Sequence, residues 1–278
     1  LKKRNFLILF FLIICLTFGL YYYNINSKEV RGVEIINLDK NNKKLLFYGS
    51  NHSNDIDSPM FKDIEKNFNR IKPQVVLVEG DFNAIKYADM YEAIEKGESA
   101  YVSYLAQQKD IPLQSVEPSM RRQYDILLEK YSKEDVLLMY VLRQLYQFQR
   151  ESSVQNMDFE QKLERYLDVM ANQGFPFSSE EILLKKVLAL LKEHLNADID
   201  SSNWMDINYY DLIYRSGTKL NRIYSEVLNI RNQHLLSVIE DSLNKYDRVF
   251  VIMGADHVKT QRKNIENIFL IQQDKTKY

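Results

Sequence analysis

The chain has 278 residues, enough for one large domain with a complete core but short for two independent ones. Its 37 lysines and arginines nearly balance 38 aspartates and glutamates, and the two signs are interspersed, which excludes a basic stripe for nucleic acid or anionic lipid. A single cysteine, Cys15, excludes a disulfide scaffold.

In chain order, Leu1-Lys2-Lys3-Arg4 precedes an apolar stretch from Phe6 to Leu20, extended by Tyr21-Tyr22-Tyr23. The run is roughly 18 residues, at the lower edge of what spans a bilayer, and the tyrosines suit the interfacial belt. Asn24 to Lys28 offers no small-residue cleavage pattern, so residues 1–27 are expected to be a transmembrane anchor or uncleaved signal. The basic cluster holds the N-terminus in the cytoplasm, which places the rest of the chain on the outer side of the membrane. Cys15 lies inside this run, and Leu12-Ile13-Ile14 before it lack the small side chains of a lipoprotein site.

Glu34 to Leu38, a polar turn at Asp39 to Asn42, and Lys44 to Tyr48 form a predicted hairpin. Its second strand ends in Gly49-Ser50-Asn51-His52. Ser58-Pro59 starts a helix, and Phe61, Ile64, Phe68 and Ile71 repeat at helical spacing. After Pro73, the run Gln74 to Gly80 is a buried parallel strand that closes on Glu79. Parallel strands of a βαβ unit point the same way, so His52 and Glu79 belong at one edge. A helical stretch around Tyr101 to Gln108 leads to a short strand at Ile111 to Val116, which again ends in a carboxylate, Glu117.

From about residue 120 to residue 246 the chain reads as a helical insertion. Leu137, Val141, Leu145 and Phe148 form one apolar stripe, Phe159, Leu163, Leu167 and Met170 another, and Leu183, Val187, Leu191 and Leu195 a third. Arg248 to Met253 is the next strand and ends in Gly254-Ala255-Asp256-His257, repeating the glycine, two residues, histidine phrase. Ile268 to Ile271 is expected as the last strand. The whole is an α/β domain over residues 28–278, with a mostly parallel central sheet and flanking helices.

Ligands of an open α/β sheet bind in the crevice beyond the carboxyl ends of its strands. Topology brings His52, Glu79, Glu117 and His257 to that edge. Two imidazoles and a carboxylate (His52, His257 and Glu79) suit a divalent metal that activates water, and Asp256 reads as a turn residue beside them. Without metal, a histidine held in one tautomer by a carboxylate would serve as a general base. The spacing alone does not choose between these uses. His194 and His234 sit in helical contexts and are expected to be structural or exposed.

These residues, in their order and spacing, resemble the TraB/GumN (Tiki-like) family, with a more distant similarity to erythromycin esterases and the haem-binding ChaN-like fold. The resemblance rests on Gly49 to His52, Ser58-Pro59-Met60-Phe61, Val76 to Gly80, Gly97-Glu98-Ser99, Tyr104-Leu105-Ala106, Glu117-Pro118, Arg231-Asn232 and Gly254 to His257. It implies a hydrolase-type site in which His52, His257 and Glu79 bind metal or activate water. Glu117 would be a further ligand or acid/base group, and Arg231 would stabilise an anionic intermediate. The leading expectation is a membrane-anchored, outward-facing metal-dependent peptidase that uses zinc, manganese or cobalt on peptide or protein substrates. The alternatives are a metal-free esterase-like hydrolase and a non-catalytic protein that sequesters a secreted peptide or haem.

Overall fold

The structure, a computed structural model, describes residues 30–80, 82, 84–150, 158–178 and 184–275. The expected anchor over residues 1–27 lies outside the described residues, as does Leu183 of the third stripe. Among the described residues no helix is long and apolar enough to cross a membrane.

The fold is mixed α/β. Five strands, β1 (Glu34–Lys40), β2 (Lys43–Ser50), β3 (Val75–Val78), β4 (Leu113–Ser115) and β5 (Arg248–Gly254), make one sheet in the order β1-β2-β5-β3-β4. The hairpin turn is Asn41-Asn42, both at positive φ (50° and 67°), the two-residue primed turn whose twist matches its flanking strands. β2 and β3 each pair with β5 in parallel, so the last strand of the chain lies between the two strands of the βαβ unit.

Helix α1 (Pro59–Ile71) links β2 to β3, with Ser58 as its N-cap and Pro59 in its first turn. It stops at Lys72, in the left-handed conformation just before Pro73. α2 (Met90–Glu95) and α3 (Glu98–Gln107) follow β3. Side chains alternate across a strand, so Leu46, Tyr48, Val76, Val78, Phe250 and Ile252 share one face. There they form a core with Phe61, Ile64 and Phe68 of α1 and Tyr101, Val102 and Leu105 of α3.

The other end of the chain departs from expectation. Ile268 to Ile271 is no strand but part of α10 (Ala255–Lys275), which begins at the residue after β5. No glycine or proline interrupts residues 255–278, so the helix runs on through this apolar tetrad. Val258, Ile265 and Phe269 are buried at helical spacing, whereas Leu270 and Ile271 are 48 % and 55 % exposed. α10 packs on β1 and β2.

The chain divides into two compact units. The sheet with α1, α2, α3 and α10 falls in the unit made of residues up to Gln114 and from Ser242, and Ser115–Asp241 make the other. The second unit is helical: α4 (Met120–Leu128), α5 (Lys133–Arg150), α6 (Phe159–Asn172), α7 (Leu184–Leu195), α8 (Tyr209–Tyr214) and most of α9 (Lys219–Lys245), with a short 3-10 turn at Trp204–Asp206. Its core is its own. Leu137, Val141 and Leu145 meet Phe159, Leu163, Leu167, Met170, Val187 and Leu191, while Phe148 and Leu195 pack at the margin.

Candidate active site at the ends of β2 and β5

The two glycine-histidine phrases meet because their strands are parallel neighbours, with Gly49 opposite Met253 and Ser50 opposite Gly254. Gly49 carries no side chain because none fits: a Cβ there would lie 2.6 Å from Val258 Cγ2 and 2.9 Å from the Ala255 Cα. That close approach seats the first turn of α10 against the end of β2. Beyond it the chain turns sharply, and His52 takes φ +24°, a strained setting for a residue with a Cβ.

Below His52 lies a carboxylate to which the sequence reading gave no role. Glu98 is the first residue of α3 and is 6 % exposed. Gly97 before it adopts φ 93°, ψ −178°, a region open essentially to glycine alone, and so delivers Glu98 beneath the β2 loop. Its carboxylate accepts from Ser50 Oγ at 2.7 Å and from the Ser53 backbone N–H at 3.4 Å. His52 Nδ1 stands 2.6 Å from Glu98 Oε1. Burial pushes the Glu98 carboxyl up, but the hydrogen bonds from His52 and Ser50 outweigh it and hold the group below the usual glutamate value. An ionised Glu98 places the hydrogen on Nδ1, which makes Nε2 the basic nitrogen of His52. The His52 side chain is 71 % exposed.

Gly254 is the pivot of the site. A Cβ on it would lie 3.1 Å from His52 Nε2 and 4.0 Å from His257 Cδ2, so both imidazoles flank one glycine. His257 is the third residue of α10 and is half-buried; Asp256 beside it lies in the helix rather than in a turn and is exposed. Glu79 also belongs here. Its backbone N–H donates to Ile252 O, and its carboxylate accepts the Gly254 N–H at 3.2 Å, placing a negative charge at the positive end of α10. The sequence-predicted trio of His52, Glu79 and His257 is therefore gathered around Gly254, with Glu98 and Ser50 as additions.

Glu117 and Arg231 lie in the helical unit, joined to each other. Arg231 Nη2 donates to Glu117 Oε1 at 2.6 Å and its Nε to Oε2 at 2.8 Å, a two-pronged pair with side chains 20 % and 12 % exposed for Glu117 and Arg231. Burial lowers the pKa of His194 and His234, which are placed on α7 and α9.

Among the described residues no three His, Cys, Asp or Glu side chains are arranged to hold a metal ion. An imidazole whose Nδ1 rests on a carboxylate is suited to ligate through Nε2. The Glu79 carboxylate, however, is turned to the Gly254 N–H, and the donors as placed do not make up a three-ligand set. Glu98 was legible only as part of the phrase Gly97-Glu98-Ser99. The usable signal was a glycine followed by a carboxylate at the start of an apolar helix. No family model matches the chain, and no curated protein or solved structure matches it.

Proposed function

We propose that the protein is a hydrolase of the TraB/GumN type, tethered by residues 1–27 with its sheet domain outside the membrane, and that it cleaves peptide or ester bonds with water activated by His52. The observation that supports this is the 2.6 Å contact between His52 Nδ1 and the buried Glu98 carboxylate, on an exposed histidine in strained backbone. Buried carboxylates are costly unless they are paired, and an acid that orients an imidazole is the arrangement a general base requires.

In this reading a water lies between His52 Nε2 and the substrate carbonyl. As its oxygen attacks the carbonyl carbon, Nε2 takes the proton, and the imidazolium is stabilised by ionised Glu98 while Ser50 Oγ keeps the carboxylate in place. Collapse of the tetrahedral intermediate breaks the bond to the leaving group. The proton on Nε2 then passes to the departing nitrogen or oxygen, which restores His52. His257, across Gly254, contacts the substrate on the other side. Glu79 acts through the backbone by fixing Gly254, and Glu117 and Arg231 act by bracing the helical unit. No step passes through a metal.

The test is hydrolysis of a panel of peptides and carboxylic esters, with and without chelator, alongside elemental analysis. His52→Ala is expected to lower kcat by about 10²- to 10⁴-fold with the fold intact, Glu98→Gln by a comparable factor, and chelator to leave the rate unchanged. Activity that chelator abolishes, with stoichiometric metal lost in His52→Ala, would replace the base by a metal centre. A panel on which no hydrolysis depends on His52 would sink the hydrolase reading altogether.

A further inference from the structure

The helical unit contains a cavity of about 590 Å³, within the range that holds small organic ligands, and it has a one-sided chemistry. Its walls include Tyr140, Phe148 and Tyr166, and its polar lining carries three cations, Arg143, Lys162 and Arg165, with no aspartate or glutamate among the described residues that line it. Other cations of this unit are matched by carboxylates, as Lys130 is by Glu226 and Lys219 by Asp135. For Arg143, Lys162 and Arg165 no ion pair is found among the described residues.

Lys162 is the most informative of them, because a lysine is almost never fully buried without a partner, yet this one is 2 % exposed. Its ammonium lies 4.6 Å from the centre of the Trp204 ring, and burial lowers its pKa against the pull of Asp158. Asp158 does not accept a hydrogen bond from it: that carboxylate takes the Ser201 hydroxyl and the Glu160 N–H at the start of α6. Arg143, half-buried on α5, likewise makes no ion pair or side-chain hydrogen bond among the described residues, although it offers five donors in a planar fork. A buried ammonium and a half-buried guanidinium with no anionic acceptor among the described residues suit an anion from outside.

We infer that this cavity binds an amphipathic organic anion, a carboxylate or phosphate monoester on an aromatic or apolar body. The head sits between Arg143 and Lys162, with Arg165 contributing at the rim, and the body packs on Tyr140, Phe148 and Tyr166. This site is distinct from the His52 centre and does not depend on hydrolysis.

The test titrates the purified chain with three probes of one shape by calorimetry: 1-naphthylacetate, 1-naphthyl phosphate and the neutral 1-naphthylacetamide. At least one anion is expected to bind about tenfold or more tightly than the amide, and the better of the two identifies the head group. Arg143→Gln should weaken that anion about tenfold and leave the amide unchanged; Lys162→Met should act in the same direction. His52→Ala should leave all three affinities as they are. Equal binding of acid and amide, no anion binding up to about 1 mM, or a folded Arg143→Gln protein that binds the anion as wild type would each overturn the inference. Arg143 is only half-buried, so its variant keeps the test decisive even where Lys162→Met fails to fold.

Discussion

Glu98 shows how one residue can be both a structural element and a chemical one. It is ionised because His52 and Ser50 donate to it, and those bonds exist only in the folded state. Its pKa lies lower folded than unfolded, so the stabilisation is present above the unfolded glutamate value of about 4.3 and is lost as pH falls through the folded value. The urea midpoint is therefore expected to drop between about pH 5 and pH 3, and Glu98→Gln to flatten that acid limb. A limb of equal steepness in both proteins would show that Glu98 is not ionised on His52. At this scale the sequence identified His52, Glu79 and His257 because each follows an apolar run. Glu98 was given no role because its helix, not a strand, carries it to the edge. Backbone direction is readable from periodicity, whereas the approach of a helix start to a distant loop is not.

Among the elements, β5 and α10 do most to build the site. β5 enters the sheet between β2 and β3, which makes the two glycine-histidine phrases neighbours, and α10 starts without a loop so that His257 falls in its first turn. The strand was legible as the run Val249 to Met253, but its slot in the sheet was not, since strand order depends on which edges remain unpaired. The misread strand at Ile268 to Ile271 has a related cause: four apolar residues suit either period, and only the unbroken helix before them decides. In the helical unit, the pair of Glu117 and Arg231 spans 114 residues of chain and ties α9 to the segment that precedes α4. A double-mutant cycle with Glu117→Gln and Arg231→Gln is expected to give a coupling of about 1–3 kcal/mol by urea denaturation, because both side chains are largely shielded. Coupling near zero would remove the bracing role proposed for them.

For the whole molecule, the proposal of an outward-facing enzyme rests on residues 1–27, which lie outside the described structure. Expressed with this segment, the protein should sediment with membranes after a carbonate wash, and protease added to the outer side should degrade residues 28–278. Protection of that domain, or its release by carbonate, would remove the tether from the proposal. The sequence by itself determined the alternation of strands and helices, the helical character of the long insertion, and the edge at which His52, Glu79 and His257 gather, because hydrophobic period and parallel strand direction are local properties of the chain. Only the tertiary structure decided that Gly254 would stand between two imidazoles, that Glu98 would lie under His52, that Arg231 would hold Glu117, and that Arg143, Lys162 and Arg165 would line one cavity. Each of these joins residues far apart in sequence, and such contacts follow from packing and charge satisfaction in three dimensions, which no local pattern encodes.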